Sequence, residues 1–216
     1  MAKARSYKLL CPIARALDRI GDRWTLLILR DLHAGPMRFG ELQKGLPGIA
    51  ANLLTDRFNK LVADGLVSKE ETYALTPLGA RTLDVLFELA VFGAEFEPEG
   101  EVVKPGNLRT VVTTLLAAAR RAELGDIALR VGLVVDGEMM QLDVADGAVR
   151  ASYGAHEAPD VVLTAGYEDL LAVSEGDLPV EAFIGARAEL QVVTPGAEGA
   201  FAQMMGAVMA VLHSAD

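Results

Sequence analysis

Reactive side chains are scarce in this chain, which holds one cysteine, one tryptophan and three histidines among 216 residues. The lone thiol, Cys11, excludes an internal disulfide framework and leaves an intermolecular bridge or a reactive thiol. His33, His156 and His213 are scattered with no metal-ligand spacing, so no metal and no cofactor are expected. There is no glycine-rich phosphate loop and no G-x-S-x-G elbow, and Asp143 and Asp146 flank a turn, where carboxylates usually serve the turn itself. These absences argue against an enzyme. No apolar run reaches the roughly 18 to 20 residues that span a bilayer, and the amino terminus, with Lys3, Arg5 and Lys8, lacks a secretory h-region. A soluble cytoplasmic protein with no membrane partner is expected.

What the chain does have is apolar bulk and segregated charge. Hydrophobic residues make up 51% of it, enough for one generous core or two modest ones, and the length favours two domains. The net charge of −10 by itself argues against nucleic acid, because phosphate contacts need local positive potential. Residues 1–64, however, carry eleven Lys and Arg against six Asp and Glu, whereas residues 98–216 carry seven against eighteen. A basic amino-terminal part is joined to a strongly acidic carboxy-terminal half.

Apolar spacing predicts a helix over 11–20 and, after the Gly21-Asp22 break, a second carrying Trp24, Leu27, Ile28 and Leu32, with Asp22 as its N-cap. Gly35-Pro36 stops it. A short helix over 39–44 ends at Gly45, and a fourth runs over 51–64 with Gly65 as its stop. Leu66-Val67 and 73–75 are β-compatible, with room between them for a short hairpin only. Thr76-Pro77 reads as N-cap and first position of a helix reaching about Phe96. This is the layout of a winged helix-turn-helix, assigned to 1–97. Proline, glycine and glutamate make 98–107 a linker.

Residues 108–216 change rhythm. After a helix over 108–122, alternating apolar residues over 129–135 and 140–144, separated by Asp136-Gly137, read as a hairpin, and Asp146-Gly147 turns the chain into 149–153. Residues 161–164 and 188–193 read as further strands, 167–174 and 180–184 as helical, and 196–212 as a closing helix. The expected second domain is α+β, a mainly antiparallel sheet with flanking helices.

With Leu54, Phe58 and Leu61 on the buried side of the fourth helix, helical phasing puts Asn52, Thr55, Asp56 and Asn59 on the opposite face and Arg57 and Lys60 on its flanks. Such a short polar face suits base edges in a major groove. Arg38 and Lys44, near the ends of the preceding helix, suit phosphates, which fix register without reading sequence.

Six motifs occur together: CP at 11–12, GDRW at 21–24, RFGEL at 38–42, LPGI at 46–49, L-x-x-R-x-x-x-L at 54–61 and Y-x-L-T-x-x-G at 73–79. Over 11–96 the chain resembles the HxlR-type bacterial winged-helix regulators. The resemblance implies a homodimer packed through its first and last helices on a near-palindromic DNA operator. Two departures stand out. Ala50-Ala51 replaces the family's usual Ser-type cap, forfeiting about 1 kcal/mol of helix stability. The wing is short and carries Glu70 and Glu71, which repel phosphate. Cys11 stands where some members of the family use a cysteine to sense oxidants or electrophiles. Arg15, one turn on, favours a thiolate there, and a small residue buried near the dimer helices is the other reading.

From 107 to 212 the chain resembles the sterol-carrier-protein fold, which implies a sheet and helices enclosing an apolar tunnel. Phe201, Met204, Met205, Val208 and Met209 share one side of the last helix and suit a hydrophobic ligand, or a plain core. The expected function is a dimeric transcriptional regulator whose carboxy-terminal domain senses a hydrophobic small molecule. The alternative is a hydrophobic-ligand carrier whose winged helix serves dimerisation or protein contacts.

Overall fold

A computed structural model describes residues 6–96, 107–154, 157–174 and 177–212. Four helices come first: α1 (Pro12–Ile20), α2 (Arg23–His33), α3 (Phe39–Gly45) and α4 (Ala51–Ala63). Asp22 caps α2 as its sequence suggests, its carboxylate accepting from the amides of Trp24 at 3.1 Å and Thr25 at 3.3 Å. At α4 the cap residue is Ala50, whose own side chain accepts nothing. Leu54, Phe58 and Leu61 point inward from α4 and are buried, each contributing roughly 1.5 to 3 kcal/mol.

Strands β1 (Val67–Lys69) and β2 (Tyr73–Leu75) pair antiparallel as the short wing. Tyr73 stacks on Phe58 with ring centroids 3.9 Å apart, which ties the wing to α4. Thr76 accepts from the Gly79 amide at 3.1 Å, but the helix expected from Pro77 does not begin there, because residues 77–78 form a turn. One 3-10 turn (Gly79–Thr82) follows before α5 (Leu83–Ala94) begins. The winged helix-turn-helix fold is present in the amino-terminal part. The expected linker lies, except for Asn107, outside the described residues.

Helix α6 (Asn107–Ala119) leads to a five-stranded sheet of β3 (Leu129–Val135), β4 (Glu138–Ala145), β5 (Ala148–Tyr153), β6 (Val161–Ala165) and β7 (Glu189–Val192), in the order β5-β4-β3-β6-β7. Asp136-Gly137 and Asp146-Gly147 all have positive φ, the backbone a two-residue hairpin turn requires. Helices α7 (Tyr167–Ser174), α8 (Val180–Phe183) and α9 (Ala197–Leu212) complete the chain.

The sheet corrects one expectation. It is mixed rather than mainly antiparallel, because β3 and β6 run parallel at its centre, Val131 opposite Val161 through Val135 opposite Ala165. Parallel neighbours usually need a crossover of a dozen or more residues, and 154–160 is far shorter, which is why the sequence reads as mainly antiparallel. Residues 157–160 instead lie against one face of the sheet. The Glu157 amide donates to Gln141 Oε1 at 3.0 Å, and Pro159 lies over Gly132. A Cβ at Gly132 would sit 3.2 Å from Met139 Cε and 3.3 Å from Val162 Cγ2, so glycine keeps that path open.

The buried apolar residues form one continuous cluster from Ile28 to Met209. Helix α6 is the hinge of this packing, touching α2 and α5 on one side and α9 and the sheet on the other. Gly35, at φ 115° after α2, lets the backbone lie against β5, where a side chain would meet Ala151 O and Ser152 Cα at 3.0 Å.

Candidate nucleic-acid interface and apolar cavity

The outer face of α4 presents Asn52, Thr55, Asp56 and Asn59, all exposed. Thr55 Oγ1 donates to Ala51 O at 2.8 Å and Asn52 Oδ1 accepts the Leu53 amide at 2.9 Å, which fixes both side chains near the start of the helix. Arg38 and Lys44 are exposed at the two ends of α3. The Arg38 amide donates to Glu41 Oε2 at 2.6 Å, so the α3 start is capped by its own third residue.

Arg57 and Lys60 do not join that face. Arg57 Nε and Nη2 each donate to the Asp22 carboxylate at 3.0 Å, and Lys60 Nζ donates to Asp18 O at 2.7 Å. Arg19 adds a 3.0 Å bond to Asp64 just past α4. These three contacts set the angle of α4 on α1 and α2. Partial burial pushes the Asp22 carboxyl up, but the Arg57 hydrogen bonds and charge, with the Thr25 and Trp24 amides, outweigh it and hold the group below its ordinary value. At the wing tip, Glu70 and Glu71 are both exposed, and the neighbouring Lys69 ammonium lies 5.5 Å over the Tyr73 ring.

Beneath this frame is a buried ion pair that sequence reasoning missed. Arg109 of α6 donates to Asp31 of α2 at 2.5 Å and to Glu41 O of α3 at 2.8 Å. Arg30 binds the other oxygen of Asp31 through Nε at 2.9 Å and Nη2 at 2.6 Å. Burial disfavours the Arg109 charge, but the adjacent Asp31 carboxylate dominates and raises its pKa. The guanidinium occupies the space over Gly45, where a Cβ would collide with it, so this glycine makes room as well as ending α3. The available signal was phase. Asp31 falls among buried Ile28, Leu29 and Leu32, and Arg109 between buried Leu108 and Val112.

A cavity of about 910 Å³ lies between α5, α6, α7, α9 and the sheet. Phe201, Met204, Met205 and Met209 line it; Val208 is buried but faces elsewhere. Phe87, Ala90, Val91 and Ala94 of α5 form the wall on the winged-helix side. Cys11 is exposed at the start of α1 in the single chain. Among the described residues, no group of three or more His, Cys, Asp or Glu is gathered in a way that could hold a metal ion. No described helix is long and apolar enough to cross a membrane.

A family model described as HxlR-like helix-turn-helix matches residues 19–101. An uncharacterized HTH-type transcriptional regulator of Bacillus subtilis, YvaP, is 30% identical over 96 residues, which cover 40% of this chain and 89% of that protein. One from Synechocystis is 30% identical over 95 residues, covering 40% of this chain and 70% of the relative. One from Mycobacterium tuberculosis is 36% identical over 102 residues but spans only 64% of the relative's length. Among solved structures, quinone-bound YodB from B. subtilis is 30% identical, with 40% of this chain and 100% of that chain covered and a TM-score of 0.38. Through its amino-terminal part, the chain belongs to the HxlR-like helix-turn-helix family.

Proposed function

We propose that the protein is a dimeric, DNA-binding transcriptional regulator whose carboxy-terminal part senses a hydrophobic small molecule. The observation that carries the DNA reading is the exposed polar face of α4, held at a fixed angle by the Asp22–Arg57 pair and bordered by Arg38 and Lys44. Asn52, Thr55, Asp56 and Asn59 are the base readers, since amides, hydroxyls and carboxylates match base-edge donors and acceptors. Arg38 and Lys44 take phosphates, and Arg57 and Lys60 position the helix. The names of the relatives agree with this reading.

Dimerisation is supported by apolar side chains that one chain leaves uncovered. Leu10, Ile13 and Leu17 are exposed at and before α1, and Val85, Leu89, Phe92 and Phe96 on or just after α5, Phe92 by 65%. Single exposed apolar residues are ordinary, but two helical stripes of them suit a partner. A near-palindromic operator would follow from the symmetry of such a dimer. Cys11, beside the first stripe, is a candidate thiol sensor, tested by comparing operator binding before and after full alkylation.

The sensing half rests on the cavity, and a sterol-carrier-like role for the carboxy-terminal part rests on it too. Because α5 forms one wall and also bears the second apolar stripe, an occupant has a direct route to the spacing of the two α4 helices. Selection of bound duplexes from a random pool tests the regulator. Recovery of a palindrome, with salt-dependent affinity, supports it. Failure to bind any duplex at low salt, with uptake of an apolar probe intact, would favour the carrier instead.

A further inference from the structure

The cavity has a chemical polarity of its own. Among the described residues that line it, only Glu95 and Glu168 are charged; Lys, Arg and His are absent from the lining. Glu95 is the C-cap residue of α5 and Glu168 lies in the first turn of α7, and both are exposed at the mouth. The carboxyl end of α5 adds the partial negative charge of its last carbonyls at the same place. Inside, Thr110 Oγ1 accepts from Arg30 at 3.2 Å, and Thr114 Oγ1 donates to its own helix at Val111 O, 2.9 Å away. Thr110 thus has an acceptor position filled by the protein, and Thr114 has its proton engaged.

Among the described residues, the lining gives an anionic head group no cationic side chain to pair with. At the mouth it would meet two carboxylates, and deeper in it would lose its hydration among apolar side chains. A cationic head at the mouth meets attraction from Glu95, Glu168 and the end of α5, while its apolar body lies against Leu133, Leu163 and Phe201. We propose that this cavity takes an apolar cation, its charged head drawn to the acidic side of the lining that Glu95 and Glu168 supply. The proposal rests on the ligand-sensing reading above and narrows it to one class of molecule.

Competition for bound Nile red tests it, using dodecylammonium, dodecanol and dodecanoate below their micelle-forming concentrations. The three share one alkyl chain and differ in head charge. Dodecylammonium should displace the dye at concentrations about tenfold below dodecanol, and dodecanoate should need about tenfold more than dodecanol. In a Glu95→Gln, Glu168→Gln variant the dodecanol value should stay in place and the others should move to within about threefold of it. Equal competition by all three, preference for dodecanoate, or an unchanged spread in the double variant would overturn the proposal while leaving the sensing reading intact. An Ala90→Trp variant, filling the cavity from α5, should lose dye uptake. Retained uptake would place the dye elsewhere and sink the proposal. If neither Nile red nor dodecanol enters the unaltered protein, both the proposal and the sensing reading fail.

Discussion

Asp31 and Arg109 lie 78 positions apart in the chain and meet at 2.5 Å with neither side chain exposed. The two sides of this pair are unequal, because Arg30 also binds Asp31 and is itself partly exposed. Removing the acid leaves buried Arg109 with only the weaker attraction of Glu138; removing the base leaves Asp31 still paired with Arg30. Asp31→Leu is therefore expected to cost about 3 to 5 kcal/mol and Arg109→Met less, about 1 to 3 kcal/mol, in urea unfolding. The double variant should recover much of the larger loss, and strict additivity of the two would disprove the coupling.

On α4, Asn59→Ala and Asn52→Ala should each weaken a selected duplex by about 1 to 3 kcal/mol, with thermal stability unchanged for Asn59→Ala and slightly lowered for Asn52→Ala, which loses the bond to the Leu53 amide. Arg57→Ala should behave differently, lowering the melting temperature because Asp22 loses its partner. Electrophoretic mobility shifts beside thermal melts separate the two patterns. A melt of Arg57→Ala that matches the parent protein would remove its positioning role.

The wing offers a gain instead of a loss. Replacing Glu70 and Glu71 with Lys turns two repulsive charges into two attractive ones at the tip of the hairpin. Affinity should rise nearly equally for all duplexes, and the slope of log affinity against log salt should steepen by about one to two. A preference for particular sequences appearing in that variant would mean the wing reads bases.

His33 provides a pH signature. Burial and then the Arg120 charge lower its pKa from 6.5 to about 4, against a weaker opposing pull from Asp84. Thr82 Oγ1 spends its proton on Gly79 O at 2.7 Å, so at 3.0 Å it can only accept from His33 Nε2, which fits the neutral ring. The unfolded chain takes a proton near pH 6.5 and the folded one only near 4, so this contribution is complete above 6.5 and is lost as pH falls towards 4. The loss is at most about 3 kcal/mol. A His33→Gln variant should show a flatter stability curve across that window; equal slopes would refute the assignment.

Much of the amino-terminal fold could be read from local chemistry. Asp22 before Trp24 announces a cap, and the spacing of Leu54, Phe58 and Leu61 fixes which side of α4 is buried. The Asp-Gly pairs at 136–137 and 146–147 specify their turns because few other residues accept positive φ. What stayed hidden was long-range. Nothing local to Arg57 says that Asp22 will claim it, nothing local to Asp31 names Arg109, and the placement of Pro159 over Gly132 depends on a neighbour only the folded sheet supplies. Side chains that reach across elements were legible only as anomalies, a charge at a core-facing phase.

Gly35 holds the loop after α2 against the outer strand of the sheet, close to where Arg109 is buried over Gly45. Sites so joined cannot melt one after the other without exposing a stranded charge and bare apolar wall. Heating should therefore yield a single calorimetric peak, with the basic front and the acidic rear of the molecule coming apart together.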